Sequence, residues 1–451
     1  MTPDQIESAV AAAMPQAVED LKRLVSIPSV AFPGHPEEPV RVAASVTEEL
    51  LRSAGLSHVQ QIAVEGSFPA VYGEAPGPPG APTVLLYAHY DVQPAGDPAA
   101  WRTPPFEPTL IDGQLYGRGA ADDKSGIISH VTALRVFQGR FPVHIKVIIE
   151  GQEEYAGERL EAFVERNPDL LRADAIVVAD TGNPKVGDPS VTTSLRGLAA
   201  FTVEARTLRE SLHSGSFGGA APDALSALMR MLTALHDDNG DVRVPGLPRG
   251  GFLGQGPSEA EFRQTAGVLD GVSLVGSGSL ADRLWSSYSI TVTGLDVPTV
   301  SGAINAVQAA ARARVTVRVP PSADPRMALE SVTGFLRQVA PWGVQVSFGD
   351  FTVGSGFQAD SGGKARGALN RAMDRAFGRP PRDVGAGGSI PLVNTLLKQF
   401  PAAEILLFGA EDEDAAIHAP NERVNLEELR RVATTEALFL HELGLPSALG
   451  V

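Results

Sequence analysis

Cysteine is absent from this sequence of 451 residues. Its absence excludes disulfides, thiolate nucleophiles, Fe–S clusters and zinc sites built from cysteine. Any bound metal ion must therefore be held by histidine, aspartate or glutamate, and only nine histidines are available. Runs of lysine and arginine are missing as well, and the formal net charge is -16. Nucleic acids and anionic membrane surfaces are consequently not expected as partners.

Apolar runs long enough to span a membrane are also missing. The first residues lack the basic region followed by an apolar stretch that marks a secretory signal. They instead predict a helix, with Pro3 in its first turn and one apolar face. That face consists of Ile6, Val10, Met14, Val18 and Leu21. A cytoplasmic protein is the expectation.

The first 190 residues alternate between strand and helix signals. Short, continuous apolar runs at 84–89, 144–151 and 173–180 are typical of buried strands in a parallel sheet. Residues 123–137 predict a helix, because their apolar residues recur three or four positions apart. This order predicts an α/β domain in which helices cover a largely parallel sheet.

From about Leu195 the pattern changes to alternating strands. Four strands and two helices are predicted here, at 198–207, 286–295, 311–321 and 343–351 for the strands and at 222–236 and 324–340 for the helices. Elements in this order predict a compact α+β unit. Residues 245–278 are rich in glycine and serine, and we expect an irregular loop there.

After about residue 351 the α/β pattern resumes. A helix at 365–377, a strand at 404–409 and a terminal helix from Asn425 are predicted. The simplest organisation is one domain that is split in sequence. We therefore predict a catalytic domain of residues 1–190 and 353–451, with a smaller domain of residues 191–352 inserted into it.

Histidines and carboxylates are concentrated in five short segments: YAHYDVQP (87–94), GRGAADDKSG (117–126), EGQEEYAG (150–157), VVAD (177–180) and IHAPNE (417–422). Several of these segments coincide with the carboxyl ends of predicted strands, where the loops of an open α/β sheet form the binding crevice. Histidine nitrogen and carboxylate oxygen suit Zn²⁺ or Mn²⁺, and a bridging carboxylate can hold two ions roughly 3.5 Å apart.

Each segment alone has a simpler interpretation. The HYD sequence could be a capped turn, the DDK sequence a helix N-terminus, and the adjacent glutamates a solvated surface. We interpret the acidic stretch Glu411 to Asp414 in that last way. The occurrence of all five segments around one predicted sheet favours a metal centre.

The chain resembles the aminoacylase/carnosinase family of co-catalytic zinc peptidases in six motifs: AHYDVQP, GRGAADDKSG, GQEE, LHSGSFGG, GGSIP and HAPNE. The resemblance covers nearly the whole chain. The LHSGSFGG motif and the chain length favour the carnosinase and dipeptidase branch over the carboxypeptidase branch. The resemblance implies a phosphorylase/hydrolase-like catalytic domain and an inserted ferredoxin-like α+β domain that serves as lid and dimerisation domain.

Five metal ligands are implied by the resemblance. His89 and Asp180 would bind the first ion. Glu154 and His418 would bind the second ion, and the Asp122 carboxylate would bridge both. Zn²⁺ is the expected metal, with Mn²⁺ or Co²⁺ as alternatives.

Two further carboxylates are implied beside the ligands. Asp91 would accept the other ring N–H of His89 and so fix the tautomer of that imidazole. Glu153 resembles the general base, which takes a proton from water and later returns it to the leaving amine.

Contacts to the substrate are also implied. His213, in LHSGSFGG, resembles a histidine that reaches across a homodimer to stabilise the tetrahedral oxyanion. Arg318 resembles the arginine that binds the C-terminal carboxylate of the substrate, for which a planar guanidinium is suited. Gly388 and Ser389 resemble a backbone and a hydroxyl contact to the same end. Without the motifs, His213 would be interpreted as a loop histidine and Arg318 as a surface residue.

Three positions depart from the dipeptidase pattern. Ala386 stands where an acidic residue usually precedes GGSIP. Asn305, which we expect near the substrate, and Gln308 stand where threonine and proline usually precede the substrate arginine. These departures affect recognition of the substrate's termini, above all of its free amino group.

The sequence thus predicts a two-metal dipeptidase that cleaves dipeptides or other small peptides. A carboxypeptidase or an N-acyl amino acid deacylase on the same scaffold is the alternative, since neither needs a free α-amine on the substrate. A peptide-binding protein without catalysis is a further alternative. It would be expected to have lost metal ligands, whereas every ligand position in this chain is filled.

Overall fold

The computed structural model describes residues 1–155, 159–254, 256–359, 362–388 and 390–445. Internal contacts divide the chain into two units. The first unit consists of residues 1–193, 359–384 and those from 391 onward, and the second of residues 194–358 and 385–390. That these units act as a catalytic domain and as a lid remains a prediction.

In chain order the helices are α1 (Pro3–Val25), α2 (Glu38–Ser53), α3 (Lys124–Arg135), α4 (Arg159–Arg166), α5 (Pro168–Leu171), α6 (Ser214–Phe217), α7 (Ala224–Thr233), α8 (Glu259–Thr265), α9 (Pro325–Val339), α10 (Lys364–Phe377), α11 (Pro391–Gln399) and α12 (Leu426–Leu443). Within the described ranges, no helix combines the length and the apolar character needed to cross a membrane.

The strands are β1 (His58–Ile62), β2 (Ala70–Ala75), β3 (Thr83–His89), β4 (Thr109–Ile111), β5 (Gln114–Tyr116), β6 (His144–Glu150), β7 (Ala175–Val178), β8 (Ser190–Leu195), β9 (Gly197–Arg206), β10 (Leu212–His213), β11 (Ser289–Asp296), β12 (Ala306–Val307), β13 (Ala310–Val319), β14 (Gln345–Gly354), β15 (Phe357–Gln358), β16 (Arg382–Ala386), β17 (Glu404–Leu407) and β18 (Arg423–Asn425).

A mostly parallel sheet forms the centre of the first unit. Its strand order is β1-β2-β6-β3-β7-β17-β8, and β15 and β16 also pair with β8. Strands β6, β3, β7 and β17 run parallel to one another. Strands β2 and β8 pair with this parallel group in the antiparallel sense, and β1 extends the sheet beyond β2. The predicted α/β fold with a largely parallel sheet is therefore confirmed.

Strand β3 lies within the parallel part of the sheet because its residues are almost all apolar. All of them after Thr83 are buried, and β6 and β7 pair with the strand on its two sides. Val84, Leu86 and Ala88 belong to the main core, which also contains the apolar faces of α1, α3 and α12. This packing holds His89, the last residue of the strand, in a rigid setting.

A four-stranded antiparallel sheet forms the second unit, in the order β11-β13-β9-β14. Strand β13 pairs with β9 along its whole length. Alternate residues of β13, from Ala311 to Val319, are buried in a core shared with α7 and α9. This period of two is what a sheet covered by helices on one face requires. The predicted α+β unit of four strands and two helices is confirmed.

Among its described residues, the segment 245–278 contains a helix where only an irregular loop was expected. Helix α8 begins after Ser258, whose hydroxyl accepts a hydrogen bond from the backbone N–H of Glu261. The Glu261 carboxylate accepts one from the backbone of Ser258 in return. This reciprocal pair is a capping box, which stabilises a short helix even where glycine and serine are frequent nearby.

Candidate metal centre

Four parallel strands of the first unit bring imidazole or carboxylate side chains to their carboxyl ends. His89 ends β3, Glu153 and Glu154 follow β6, Asp180 follows β7, and Glu411 follows β17. Carboxyl ends of parallel strands meet at one edge of a sheet, which is where open α/β folds bind their ligands. Residues far apart in sequence are thereby neighbours.

The His89 imidazole is fully buried and lies among carboxylates. Its Nε2 is 3.0 Å from Asp122 Oδ1 and 3.8 Å from Asp180 Oδ1. Asp123 also lies here, since ligand atoms of His89, Asp123 and Asp180 fall within 4.8 Å of one another. The structure therefore brings together the three residues expected around the first ion, with Asp123 as an additional neighbour.

The Asp122 carboxylate faces two groups of ligand atoms. Its Oδ1 is 3.0 Å from His89 Nε2, and its Oδ2 is 2.9 Å from His418 Nε2. The same His418 nitrogen is 3.1 Å from Glu154 Oε2. Ligand atoms of Asp122, Glu154 and His418 lie within 4.8 Å of one another. One carboxylate with an oxygen in each group is the arrangement that a bridging ligand needs.

Asp91 lies behind His89 and is fully buried. His89 Nδ1 is 3.0 Å from the backbone oxygen of Asp91 and 3.3 Å from its Oδ1. The Asp91 carboxylate also accepts hydrogen bonds from the backbone N–H groups of Glu153, at 3.0 Å, and Glu154, at 3.1 Å. Asp91 thus ties the orientation of the imidazole to the turn that follows β6.

Burial and crowding of charge determine how these groups titrate. Burial and the neighbouring Asp180 carboxylate raise the pKa of Glu153 well above its ordinary value. Burial also raises the pKa of Asp180 to about 6, although His89 opposes this. Burial raises the pKa of Asp122 too, but the hydrogen bonds from His418 and His89 outweigh burial and lower it. The contact with Asp122 raises the pKa of His418 to about 10.

This donor set fits two divalent cations. Carboxylates crowded into a buried site repel one another unless cations neutralise them. Imidazole nitrogen and carboxylate oxygen are the ligands that Zn²⁺ and Mn²⁺ take in proteins. Donor atoms bonded at about 2.1 Å to a tetrahedral ion lie about 3.4 Å apart. The separations between ligand atoms in this cluster, from 2.9 Å (His418 to Asp122) to 3.8 Å (His89 to Asp180), lie on either side of that value.

Glu411 is a member of this cluster, and the interpretation of 411–414 as a solvated surface is wrong for it. Its carboxylate lies within 4.8 Å of ligand atoms of Asp122 and Asp180. Burial, together with these two carboxylates, raises the pKa of Glu411 well above its ordinary value. The available signal was topological, because β17 pairs in parallel with β7 and Glu411 follows β17 as Asp180 follows β7.

Asp412, the next residue, also departs from the expected solvated surface. It is 9% exposed, and its carboxylate accepts hydrogen bonds from Arg423 at 2.6 and 2.9 Å. This bidentate pair anchors the start of the loop that leads to His418. Glu413 and Asp414 are exposed, as the sequence interpretation expected.

Glu422 positions Asp122 without belonging to either ligand group. Its fully buried carboxylate accepts hydrogen bonds from the backbone N–H groups of Gly119, Ala121 and Asp122, at 2.8 to 3.0 Å. Arg118 Nη1 donates to the same carboxylate at 2.7 Å. The carboxylate therefore shapes the turn that presents Asp122. Glu422 ends the IHAPNE segment, but the sequence analysis assigned it no role.

The loop that carries His418 has an unusual backbone. His418 has φ 58°, and Ala416 and Asn421 have φ 53° and 70°. Residues other than glycine rarely adopt this left-handed conformation, which costs of order 1–3 kcal/mol each and is concentrated at binding sites. The His418 side chain is 53% exposed, in contrast to the buried His89. His418 is thus the solvent-facing imidazole of the cluster.

His213 and Asn305 lie next to each other in the second unit. His213 pairs with Ala306 across strands β10 and β12, and the backbone N–H of Ser214 donates to the Asn305 carbonyl at 2.9 Å. The His213 side chain is exposed, with Nδ1 3.5 Å from Ser216 Oγ. The structure therefore brings these two predicted substrate residues together.

Arg318 lies on β13 of the second unit, directly opposite Ser289 on β11 and Leu198 on β9. Gly388 is exposed in the same unit, whereas Ser389 lies outside the described residues. Ala386, which stands where dipeptidases usually have an acidic residue, accepts a hydrogen bond through its carbonyl from the backbone N–H of Arg196 at 3.2 Å.

A cluster of two imidazoles and several carboxylates lies at the carboxyl edge of a parallel sheet, and one of its carboxylates is shared by two groups of ligand atoms. This is the arrangement of a centre that can hold two metal ions. The comparison with known families gives the particular class. A sequence model described as peptidase family M20/M25/M40 matches residues 85–442, and the chain belongs to this family. The expected membership of a metallopeptidase family is confirmed.

Individual relatives agree with this assignment. The Cysteinylglycine-S-conjugate dipeptidase of Corynebacterium striatum is 41% identical over 371 residues, which cover 81% of this chain and 82% of the relative. Human carnosine dipeptidase 1 superposes with a TM-score of 0.81 at 24% identity, covering 98% of this chain and 99% of that one. The dipeptidase Dug1p of Saccharomyces cerevisiae superposes with a TM-score of 0.82 at 21% identity, covering 99% of both. At these identities the two structures show a shared fold.

Proposed function

We propose that this chain hydrolyses the amide bond of dipeptides and other small peptides with the help of two divalent ions. Membership of a peptidase family supports amide hydrolysis. The 41% identical relative that is named a dipeptidase supports small peptides as the substrate class. A homodimer in the cytoplasm, without nucleic acid or membrane partners, is part of the same proposal.

The observation that carries this proposal is the position of the Asp122 carboxylate. One of its oxygens lies 3.0 Å from His89 Nε2 and the other 2.9 Å from His418 Nε2. In our proposal Asp122 bridges the two ions. Asp180 joins His89 at the first ion, and Glu154 joins His418 at the second. We propose Zn²⁺ as the natural ion and Mn²⁺ or Co²⁺ as substitutes, because all three accept nitrogen and oxygen donors.

Two bound ions supply positive charge that polarises the scissile carbonyl and acidifies water beside it. Glu153 accepts the proton of the attacking water and returns it to the leaving amine. Its backbone N–H is held by Asp91, which also orients His89. The positions of the base, Glu153, and of the His89 imidazole are thus both fixed by the buried Asp91 carboxylate.

The residues of the second unit are proposed to hold the substrate. Arg318 binds its C-terminal carboxylate, with Gly388 and Ser389 at the same end. His213 of one subunit donates to the oxyanion that forms in the other subunit. Asn305, whose backbone bonds to Ser214, lies beside this histidine and contacts the substrate.

A hydrolysis panel on metal-loaded protein tests the proposal. The panel contains free dipeptides, tripeptides, and the same dipeptides N-acetylated. We expect rapid cleavage of free dipeptides and slow or no cleavage of the acetylated set. Asp122→Ala protein, purified in the same way, controls for contaminating peptidases. Cleavage of only the acetylated set would replace the dipeptidase proposal with a deacylase or a carboxypeptidase.

A further inference from the structure

Arg196 is a buried arginine of the second unit that lacks an ionic partner among the described residues. The residue is 9% exposed, and its Nε is enclosed without a hydrogen-bond acceptor in the described part of the chain. Its Nη1 donates to Ser289 Oγ at 3.1 Å and weakly to the Arg283 carbonyl at 3.5 Å. Across the described ranges, no carboxylate lies within ion-pair distance of Arg196. A buried charge is unfavourable unless it is paired.

A second arginine lies beside it. Arg318 is directly opposite Ser289 on the neighbouring antiparallel strand. The side chains of Arg318 and Ser289 are therefore on the same face of the sheet. Because Arg196 bonds to the Ser289 hydroxyl, its guanidinium is also on that face. Burial, with a contribution from the Arg318 charge, lowers the pKa of Arg196 to about 10. Arg318 is itself half-buried and has no carboxylate partner among the described residues.

Gly387, the residue directly after β16, leaves room at the Arg196 guanidinium because it has no side chain. A Cβ placed on Gly387 would lie 3.2 Å from Arg196 Nη2, so any side chain there would crowd the guanidinium. Arg196 also lines a cavity of about 320 Å³, whose walls include Leu247, Leu280 and Ile290. This volume falls within the range of small-molecule sites, roughly 300–1,000 Å³. Arg196 therefore borders a cavity that has both apolar and polar walls, the latter including Asp241 and Arg283.

We propose that Arg196 and Arg318 together bind one anion, the C-terminal carboxylate of the substrate. The identity of this anion rests on the proposed function, whereas the pairing of the two arginines rests on the geometry of the second unit alone. A carboxylate has two oxygens and can accept hydrogen bonds from two guanidinium groups. Arg196 is thereby a specificity residue for a free C-terminus, in addition to Arg318.

A binding measurement tests the pair without depending on hydrolysis. Leucine and leucinamide are titrated calorimetrically into the metal-loaded full chain, because they differ only in the carboxylate. We expect Arg196→Met to weaken leucine binding by about tenfold to a hundredfold, the usual contribution of a hydrogen bond to a charged group. Leucinamide binding should change little. Arg196→Lys, which keeps the charge, should recover part of the loss.

The same variants are then assayed on a dipeptide and on its C-terminal amide. We expect Arg196→Met and Arg318→Met to raise KM for the dipeptide and to leave kcat and the amide nearly unchanged. Arg312→Met, an exposed arginine on the same strand as Arg318, is the matched control and should change neither substrate. Metal content and thermal unfolding of each variant show whether it is folded.

The outcomes separate the two proposals. Equal losses on leucine and leucinamide in Arg196→Met, or none, would make Arg196 a structural residue and overturn the pair while the dipeptidase proposal stands. Equal binding of leucine and leucinamide by the wild-type protein would also overturn the proposed arginine pair. Absence of dipeptide hydrolysis by the wild-type protein would instead remove the dipeptidase proposal, and the leucine titrations would still decide whether the two arginines bind a carboxylate.

Discussion

At the scale of single residues, Glu153 and Glu154 are adjacent but are expected to act differently. Glu154 Oε2 is 3.1 Å from His418 Nε2, whereas Glu153 belongs to none of the groups of ligand atoms found among the described residues. Glu153→Gln should keep two ions and lose about 10²- to 10⁴-fold in rate, as expected for a positioned base. Glu154→Gln should weaken metal binding. Elemental analysis and rate measurements check both, and identical metal titrations of the two variants would contradict the assignment.

Glu411 is expected to support the metal centre from the side of Asp180. Its carboxylate lies within reach of Asp122 and Asp180, so its negative charge should favour bound cations. Glu411→Gln should require about 10- to 100-fold more free Zn²⁺ for full occupancy, a typical effect of residues that surround metal ligands. The exposed neighbour Glu413→Gln is the control. Unchanged zinc affinity in Glu411→Gln would show that the Glu411 carboxylate does not contribute to metal binding.

At the scale of elements, the turn before α3 depends on Glu422. Three backbone N–H groups and Arg118 donate to this carboxylate. We expect these bonds to persist when the metal is removed, because no ion takes part in them. Glu422→Gln leaves the buried Arg118 without its ionic partner, so it should cost about 3–5 kcal/mol of unfolding free energy. The loss should appear in chelator-treated protein as well.

Denaturant unfolding with and without chelator distinguishes this positioning role from that of a ligand. Glu154→Gln, as a proposed ligand, should lower stability only in the presence of metal. The exposed Glu107→Gln is the control for the loss of one negative charge. If Glu422→Gln were destabilised only when metal is present, Glu422 would act through the ions and not through the turn.

Helices α3 and α12 are joined by a buried ionic contact that depends on pH. His130 Nδ1 is 2.7 Å from Glu436 Oε2, and its Nε2 is 3.0 Å from the Tyr87 carbonyl. Both ring nitrogens face acceptors, so the protonated imidazole satisfies both. Burial lowers the pKa of His130, but Glu436 and the Tyr87 carbonyl outweigh burial and raise it above its ordinary value.

A raised pKa in the folded state stabilises the protein below the unfolded pKa of about 6.5, and this stabilisation is lost as pH rises through the folded value. His130→Leu should therefore cost about 3–5 kcal/mol of unfolding free energy near pH 6, because the contact between the protonated imidazole and the Glu436 carboxylate is lost. The difference from wild type should shrink as pH rises. Denaturant titrations from pH 6 to 9 measure it, with the exposed His35→Gln as control. A difference that grows with pH would contradict the protonated pair.

At the scale of the whole molecule, the proposed homodimer is expected to share its active sites between subunits. His213 is exposed in the second unit, and the cluster of ligands belongs to the first. Inactive His213→Ala and inactive Glu153→Gln are mixed under conditions of subunit exchange. Each mixed dimer should regain one intact site, which gives about one quarter of wild-type activity at random association. Continued inactivity after proven exchange would remove the shared site and leave the metal centre in place.

Much of the fold and of the centre could be predicted because the relevant signals are local. Continuous apolar runs predicted the buried strands, and alternation predicted β13 with its buried residues from Ala311 to Val319. His89 and Asp180 stand at or just beyond predicted strand ends, which placed both at the binding edge of the sheet. That they share one ion was implied by the resemblance to the family. In the structure His89 Nε2 is 3.8 Å from Asp180 Oδ1 and 3.0 Å from Asp122 Oδ1.

The sequence by itself determined which elements form and which donor types are available to a metal. Only the tertiary structure decided which charged residues are buried. In the sequence, Glu411 is indistinguishable from the other residues of an acidic stretch. The parallel pairing of β17 with β7 is what brings it to the metal ligands. Glu422 acts on Asp122 from 300 residues away. Arg196 lacks a carboxylate partner within the described part of the chain. The physical reason is that hydrophobic periodicity depends on neighbours in sequence, whereas the cost of a buried charge depends on partners that only folding brings near.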